Sequence, residues 1–445
     1  MPNQYVNKVD LADGTTLVDL SSDTAVQSDV ASGKYFHLAT GERVQGTAIP
    51  GVVSQPVKLV NFIDYDGTIL YSYNATEFAS LSALPANPTH TGLTAQGWNY
   101  TKAQISTQLT AMPNDPIYVG QMYTTSSGAT EVDITLDNSD FLSPYLCIAP
   151  NGTVVVDWGD GSSTNTLTGS SNTALVYQQH TYSQTGDYTI KLTVSSGKFT
   201  FYNSSSNYAG VLRTINAAND RSRNKAYSST ITAMRLGTGA NVGSNAFAHC
   251  YSMRSITIPS AITSIGNNAF YYCSSIYSIT IPSAVTSVGS YVFYNNNSLR
   301  IVSIPSGVTS IGSNAFAYCF SMQSITLPSG VTTIDSSAFA YCYTFQGITI
   351  PGGITSVAAS TFQNCGSLQK LTIPSGVTSI ATKAFQNCYD MHEYHFKRTS
   401  PPTLANTDAF SGIMSGTVIY VPSAQLNTYK GASQWSNYSS YMQGE

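Results

Sequence analysis

The apolar positions between residues 247 and 396 repeat at a constant interval. Phenylalanine recurs with a step of 23 residues, at Phe247, Phe270, Phe293, Phe316, Phe339, Phe362 and Phe385. Two more series keep this step: Pro259, Pro282, Pro305, Pro328, Pro351 and Pro374, and Cys250, Cys273, Cys319, Cys342, Cys365 and Cys388, with Asn296 in the remaining place. A fixed period of roughly 20 to 50 residues indicates a solenoid or another repeat array.

One repeat, residues 253–275, predicts a single coil. Ile256 and Ile258 alternate with Thr257, which indicates a short strand with one apolar face. The strand ends at Pro259, because proline has no N–H to donate to a β-ladder. The inner side of the coil is completed by Ile262, Ile265, Ala269, Phe270 and Cys273. One coil cannot bury both walls alone, so neighbouring coils must stack. The buried cysteines are expected to be thiols that pack as small apolar side chains.

The run IPSGVTSIGSNAFAYC at 304–319 resembles the leucine-rich repeats of the BspA type. The resemblance implies a right-handed solenoid of the kind that bacterial surface proteins use for adhesion and recognition. It implies no catalytic residues.

The chain before the repeats predicts three further segments. Residues 1–50 alternate short β-type runs with turn signals and contain few large apolar residues, so they are expected to pack either against a partner or against copies of themselves. Residues 51–115 predict a small α+β module with a hairpin at 61–73, an Asp66-Gly67 type I′ turn, and helices at 74–84 and 97–109. The phrase at 32–47 resembles N-terminal segments of tail-associated proteins in phages of Gram-positive bacteria, and the phrase at 83–101 resembles one found in phage proteins that carry these repeats.

Residues 116–215 contain alternating apolar runs with regularly spaced turns, which predicts a β-sandwich. The phrases VDWGDGSS at 156–163 and HTYSQTGDYTIKLTV at 180–194 resemble a PKD domain, a spacer and binding module. Its pattern is matched by Trp158, His180, Tyr182 and Tyr188. A nucleophilic triad of His180, Asp160 and Ser162 is the weaker alternative, because Ser162 lies in a turn without a glycine elbow.

The fold class is therefore mainly β and multi-domain, a PKD-like β-sandwich followed by a leucine-rich-repeat solenoid with capping units. An incomplete first coil precedes Phe247. The runs YVP at 420–422 and YKGASQW at 429–435 resemble the closing unit of such repeat arrays, which implies that Tyr429 and Trp435 cover the last coil. The expected boundaries are 1–50 (virion-attachment segment), 51–115 (α+β module), 116–215 (sandwich), 216–396 (solenoid) and 397–445 (C-terminal cap).

Composition narrows the possible functions. Charged residues make up only 9% of the chain and the formal net charge is −4, which argues against a basic face for nucleic acid. Residues 247–396 hold only three carboxylates, Asp335, Asp390 and Glu393, whereas a glycosidase needs a pair roughly 5 to 10 Å apart. We therefore expect no enzyme, no cofactor and no metal. Two candidate metal groups, Asp64 with Asp66 and the histidines around Glu393, are more consistent with a turn and a strand edge.

Two outward-facing columns remain. The residues before and after each core cysteine form what we call the ridge, whose candidate receptor-binding members are Tyr251, Tyr272, Asn295, Tyr318, Phe320, Tyr341, Tyr343 and Asn364. The ridge either packs against itself, a subunit or the β-sandwich, or docks a glycan or protein. The second column, the hydroxyl lane, consists of Thr257, Thr280, Ser303, Thr326, Thr349 and Thr372 and is expected to be plain β-surface.

The first hypothesis is a non-enzymatic phage virion protein of the tail tip or fibre that recognises a host-surface glycan or protein. Residues 1–50 would bind other tail or baseplate proteins, and the two middle modules would be spacers. No apolar run long enough for membrane insertion and no secretory signal is evident, which fits assembly in the host cytoplasm. A homotrimer is compatible with a fibre. The alternatives are a bacterial cell-surface adhesin and, less favoured, a polysaccharide-degrading tail spike.

Overall fold

The chain forms two compact units, Met1–Val57 and Lys58–Glu445. The computed structural model describes residues 59–111, 116–139, 142–202, 212–213 and 230–445, together with four short strands of the first unit. These strands form two antiparallel pairs, β1 (Lys8–Asp10) with β2 (Thr16–Asp19) and β3 (Tyr35–His37) with β4 (Arg43–Gln45). The rest of the expected virion-attachment segment lies outside the described residues.

The second unit begins with the α+β module. Its elements are β5 (Val60–Ile63), β6 (Ile69–Tyr73), α1 (Ala75–Ser80), β7 (Leu93–Trp98), α2 (Lys102–Ala111) and β8 (Ile117–Thr125), with the sheet order β6-β5-β8-β7. Asn74 and Glu77 form the capping box of α1 that the sequence predicts. The structure places β8 in this sheet, although the expected boundary at 115 assigned it to the β-sandwich. The module therefore extends to Thr125.

Two local predictions in the module were wrong. The hairpin turn is closed by a hydrogen bond from the Gly67 N–H to the Asp64 carbonyl (3.1 Å), and Gly67 is the turn residue with positive φ (91°). A type I′ turn needs positive φ at both central residues, so this turn is of another type. The second helix begins at Lys102 rather than 97, because Leu93–Trp98 is a strand that pairs with β8.

The next region is built on two long strands. Its elements are β9 (Thr130–Leu136), β10 (Tyr145–Asp157), β11 (Asn165–Ser170), β12 (Val176–Gln179), β13 (Gly186–Phe201) and β14 (Leu212–Arg213). The first part of β10 pairs with β12 and β14, and the remainder pairs with β11 and β13.

This region shares a sheet with the solenoid. Strand β9 pairs with β15 (Ile231–Arg235), which pairs in turn with β17 (Ser255–Thr257). Across the first junction the Arg235 guanidinium donates to both carboxylate oxygens of Asp133 (2.6 and 2.7 Å) and to Glu131 (2.8 Å). The β-rich region thus covers the first coil, which leaves no apolar coil end exposed there.

The solenoid has about nine coils. One row of strands comprises β15, β17, β18 (Ser278–Thr280), β20 (Ile301–Ser303), β24 (Lys370–Ile373), β26 (Glu393–Phe396) and β28 (Val418–Val421). The other comprises β16 (Ala240–Val242), β19 (Ser287–Val288), β21 (Ser310–Ile311), β22 (Thr333–Ile334), β23 (Ser356–Val357), β25 (Ser379–Ile380) and β27 (Thr403–Leu404). The pairs between coils are parallel. The mainly β solenoid expected from the period is confirmed.

The interior repeats from coil to coil. The Phe316 and Phe339 rings are nearly parallel, with centroids 5.6 Å apart. The Cys273 thiol donates to the Phe247 carbonyl of the preceding coil (3.0 Å), and the Asn296 amide donates to Phe270 in the same way (3.0 Å). Asn296 can therefore replace a cysteine because it supplies the same donor. The seven cysteines are buried, and none of them forms a disulfide in the described residues.

The C-terminal residues close the far end as expected. They form a 3₁₀ turn (Ser423–Gln425), α3 (Leu426–Gly431), a second 3₁₀ segment (Trp435–Tyr441) and β29 (Met442–Gly444). Trp435 is buried, its indole N–H donates to the Pro402 carbonyl (2.7 Å), and its ring lies 5.1 Å from that of Phe396. Tyr429 is also fully buried.

Candidate functional site

The hydroxyl lane is not plain surface over the first coils, because the α+β module lies on it. Ser303 is fully buried, and its hydroxyl donates to Asn99 Oδ1 (3.1 Å) and accepts from the Gly120 N–H (3.0 Å). Asn99 in turn donates to the Ile281 carbonyl (3.0 Å). Ser303 therefore supplies both a donor and an acceptor to the docked module.

Glutamine side chains extend this contact along the solenoid. Gln96 accepts from the Ser260 N–H (2.8 Å). Gln108 donates to the Leu327 carbonyl (2.7 Å) and accepts from the Ser329 N–H (2.9 Å). The covered lane residues are Thr257, Thr280, Ser303 and Thr326, whereas Thr349 and Thr372 remain partly exposed.

The docking requires small residues on both sides. A Cβ atom at Gly120 would lie 2.0 Å from Thr280 Oγ1, so only glycine fits there without a shift of the backbone. The module was expected to be a spacer, whereas the structure shows it docked on the solenoid. The pattern of residues 51–115 contained no signal for the surface that would receive them.

The ridge is built on a left-handed backbone. The residue before each core cysteine, or before Asn296, has φ near +60°: His249, Tyr272, Asn295, Tyr318, Tyr341, Asn364 and Asn387. Asparagine and histidine tolerate this conformation, whereas bulky residues are rarely found there. Tyr272, Tyr318 and Tyr341 therefore occupy positions where asparagine would fit with less strain.

The ridge side chains stack along the solenoid. The Tyr318 and Tyr341 rings are nearly parallel with centroids 4.5 Å apart, and Phe320 stacks on Tyr343 at 5.4 Å. On the preceding coils Tyr272 stacks on His249 at 5.3 Å, and Tyr251 contacts Tyr272 edge-on. Of the interpretations left open, packing of the ridge against itself is therefore observed, while the rims of the rings remain partly exposed.

Three tyrosines that the sequence analysis did not single out join the ridge. Tyr271 stacks on Tyr294 at 5.1 Å, and Tyr291 lies 5.4 Å from Tyr294. Tyr294 also contacts Tyr318 at 5.1 Å, and so bridges the coil where Asn295 interrupts the aromatic column. The sequence contains a signal for two of them, because Tyr271 and Tyr294 occupy the same position in successive repeats.

Amides replace rings towards the C-terminal coils. Asn387 donates to Asn364 (2.9 Å), and Gln363 donates to Gln386 (2.6 Å). The ridge therefore has an aromatic part and an amide part that meet between Tyr341 and Asn364.

The other candidate groups have local roles. Asp64 accepts from Tyr123 (2.8 Å) and is paired with His90 (2.6 Å), while Asp66 caps the N–H of Thr68 in its own turn (2.9 Å). These contacts explain both carboxylates without a metal. In the part of the chain that the structure describes, no group of three or more His, Cys, Asp or Glu is arranged to hold a metal ion.

The geometry around His180 differs from a triad. Asp160 lies between Ser162 and His180, and the His180 Nε2 to Asp160 Oδ2 distance is 2.7 Å. In a nucleophilic triad the histidine lies between serine and carboxylate. Burial raises the pKa of Asp160, but hydrogen bonds from Ser162 and His180 outweigh it and lower the pKa to about 2.

A charged cluster lies beside the open end of the lane. His395 contacts Glu393 (2.9 Å) and Glu445 (2.6 Å) and stacks on Tyr420, while Glu393 is also paired with Lys370 (2.8 Å). The contact with Lys370, followed by that with His395, lowers the pKa of Glu393 to about 2.

Among the described residues, no helix combines the length and apolarity that crossing a membrane requires.

Comparison with known proteins identifies the repeats. The family profile of the BspA type leucine-rich repeat region matches six copies, over residues 222–346 and 309–437. This part of the chain consists of BspA-type leucine-rich repeats. No curated protein matches the chain significantly.

Three solved structures resemble parts of the chain. A leucine-rich repeat protein from Bacteroides ovatus is 23% identical over 43% of this chain, with a TM-score of 0.35, and the match spans 60% of that protein's length. A T. pallidum leucine-rich repeat protein is 27% identical over 35% of this chain and 72% of its own, with a TM-score of 0.33. The pneumococcal vaccine antigen PcpA is 17% identical over 46% of this chain and 65% of its own, with a TM-score of 0.34.

Proposed function

We propose that this chain is a non-enzymatic recognition protein that binds a glycan or protein on a cell surface through the ridge. The observation that carries the proposal is the placement of tyrosines at strained left-handed positions where the backbone favours asparagine. Strain of this kind is typical of functional sites, where the side chain matters more than the backbone cost.

The chemistry of the ridge favours an uncharged partner. Its side chains are phenols, phenyl rings and amides, which offer apolar area together with neutral hydrogen-bonding groups. The hydroxyl lane is less suited to this role, because the module already occupies most of it. A glycan or an uncharged protein surface is therefore the proposed receptor.

For the biological setting we favour a bacterial cell-surface adhesin. BspA-type repeats are the feature that supports it, and they span 222–346 and 309–437.

A phage tail-tip or tail-fibre protein is the second candidate. The phrases at 32–47 and 83–101 favour it, since they resemble segments of phage proteins. Residues 1–50 would then contact other tail proteins, and the particle would be a virion.

The PKD-like character of the β-rich region is part of this proposal. Trp158 stacks on His180 with centroids 4.6 Å apart, and Tyr182 contacts both His180 (4.6 Å) and Tyr188 (4.3 Å). The four residues that carry the resemblance thus form one aromatic cluster, which supports a structural role for the motif.

The test measures binding of the purified full chain to intact Gram-positive cells and to animal cell lines, with and without periodate treatment of the cells. The matched control is Tyr177→Ala, which removes an exposed tyrosine outside the ridge, and the test variant is Tyr318→Ala. We expect saturable binding that periodate and Tyr318→Ala weaken and that Tyr177→Ala leaves unchanged. Binding by neither the parent nor the control to any strain or cell line would refute the proposal. Immunodetection in the cell-wall fraction or in purified particles separates the adhesin from the virion protein.

A further inference from the structure

The column of residues that follows each core cysteine contains a gap. Phe320, Tyr343, Gly366 and Tyr389 occupy four successive coils in this column. Tyr343 and Tyr389 are 48% and 55% exposed, which places them among the most exposed large side chains of the described residues. Between them stands a glycine, so the column has no side chain at the position between the two exposed tyrosines.

One face of Tyr343 is already used and the other is open. Phe320 stacks on Tyr343 from the preceding coil, with centroids 5.4 Å apart and planes at 25°. On the following coil the same position is Gly366, which has no side chain to stack on the opposite face. A Cβ atom at Gly366 would approach only the Tyr343 carbonyl oxygen, at 3.8 Å, which is an ordinary van der Waals contact. The space beside Gly366 can therefore accommodate a larger side chain or a ligand.

The width of the gap suits one ring. Stacked β-coils are spaced by about 4.8 Å, so the Tyr343 and Tyr389 positions are roughly 10 Å apart. Contacts between carbon atoms need about 3.5 to 4 Å on each face. A single saturated ring fits between the two tyrosines, whereas a second layer does not.

Polar groups border the gap on both sides. Asn364 and Asn387 precede the flanking cysteines and are hydrogen-bonded to each other (2.9 Å). Beyond the gap, Gln369 donates to Asp390 (2.8 Å). Amides and a carboxylate accept and donate to hydroxyl groups, and the carboxylate disfavours an anionic ligand. Apolar walls with a polar border match a pyranose, whose C–H faces are apolar and whose hydroxyls lie around its edge.

We infer that Tyr343, Gly366 and Tyr389 form a slot that holds one neutral pyranose unit of a glycan. This inference deepens the proposed function and rests on it, since it names the receptor class and the place on the ridge where it binds. The slot lies where the aromatic part of the ridge gives way to the amide part.

The experiment titrates the full chain with hexasaccharides of glucose, mannose and N-acetylglucosamine by calorimetry. Gly366→Tyr fills the slot, because its ring continues the column from Phe320 to Tyr389. The matched control is Gly352→Tyr, which adds an exposed tyrosine at a glycine where an added Cβ would meet no atom within 4 Å. We expect at least one hexasaccharide to bind, and Gly366→Tyr to weaken it about tenfold or more through loss of the ring contacts. Gly352→Tyr should bind like the parent.

Tyr389→Ala is the second test variant, and it decides the outcome should Gly366→Tyr not fold. Unchanged binding by a folded Gly366→Tyr or by Tyr389→Ala overturns the slot, as does the absence of binding to all three hexasaccharides. If the parent adheres to cells and Gly366→Tyr adheres equally well, the slot is refuted but the proposed function is not. Hexasaccharide binding without adhesion to any cell would support the slot and refute the proposed function.

Discussion

The hydroxyl lane and the ridge are two columns of the same solenoid, and each recurs from coil to coil at fixed positions of the repeat. The lane uses threonine and serine on extended strands, and over four coils another part of the chain covers it. The ridge uses aromatic and amide residues on a left-handed backbone, and its ring contacts in the described residues are with other solenoid side chains.

The contrast shows that side-chain size decides which column becomes an internal contact. Small hydroxyl residues allow a backbone to approach until Gly120 and Thr280 leave no room for a methyl group. Stacked rings hold a second backbone at a distance but present area to an outside partner. Four substitutions test this contrast, from the largest expected effect to the smallest.

Removing one of the stacked interior phenylalanine rings should destabilise the solenoid core on which both columns are built. Phe316 is fully buried and stacks between Phe293 (5.3 Å) and Phe339 (5.6 Å). We expect Phe316→Ala to lower the free energy of unfolding by about 3 to 5 kcal/mol, measured by urea denaturation. The control is Phe320→Ala on the ridge, with an expected cost of about 1 kcal/mol. Equal costs for the two variants would contradict the distinction between core and ridge.

A methyl group at Gly120 should disturb the covered lane alone. Because Thr280 leaves no space for it, Gly120→Ala should cost about 1 to 3 kcal/mol and increase proteolysis of the α+β module. Gly347→Ala, on the uncovered coils where an added Cβ would meet no atom within 4 Å, should change neither quantity. Thr280→Gly in the Gly120→Ala background removes the clash and should restore part of the lost protease resistance. Equal sensitivity of both alanine variants would show that the module does not dock as described.

Replacing a ridge tyrosine by asparagine should separate binding from stability. Tyr341→Asn loses a stacked ring, worth about 0.5 to 1.5 kcal/mol, but relieves a left-handed position of similar cost. The free energy of unfolding should therefore change by less than about 1 kcal/mol, while cell binding falls. Tyr341→Phe keeps the ring and should keep binding. If Tyr341→Asn fails to fold stably but each folded molecule binds cells as the parent does, Tyr341 serves stability rather than binding, and the binding role assigned to the ridge is contradicted.

Lowering the pH should slightly reduce the stability that the charged cluster around Glu393 contributes beside the uncovered end of the hydroxyl lane. The pKa of Glu393 is lowered to about 2, so the ionised carboxylate stabilises the fold above its unfolded pKa of about 4.5, and this stabilisation is lost as the pH falls towards 2. Glu393→Gln should reduce stability at pH 6 by less than about 1 kcal/mol, because the pair with Lys370 is exposed. At pH 2 the two proteins should be equal by urea denaturation. Asp335→Asn is the control, and a larger effect there would contradict the assignment.

The solenoid could be predicted because every contact in it recurs after 23 residues. The strand at Thr257, the buried phenylalanines and the thiols follow from periodicity and burial, the cap residue Trp435 follows from the resemblance to a closing unit, and the structure agrees. Even Asn296, which interrupts the cysteine series, has a donor role that depends only on the preceding coil.

The docked module could not be predicted, because its contacts join residues about two hundred positions apart. Asn99 to Ser303 is one example, and no local pattern encodes it. Strand β8 was assigned to the wrong module for a different reason. Both of its faces are largely buried, so it lacks the alternation of a half-exposed strand. The left-handed ridge positions were also missed, although asparagine at 295, 364 and 387 is a signal for positive φ.

The thiol-to-carbonyl bonds have a consequence for how such an array can change in length. Each coil brings its own donor and finds its acceptor on the coil before it, as Cys342 does with Phe316 (3.1 Å) and Cys365 with Phe339 (3.1 Å). Duplication or deletion of one whole coil therefore preserves every such bond. Between Ser260 and Ser329 the docked module fixes the coil count, because its amides must meet particular coils. Coils can accordingly be gained or lost between Ser329 and the C-terminal cap, where the slot lies, so reach and receptor choice can vary while the anchored half stays constant.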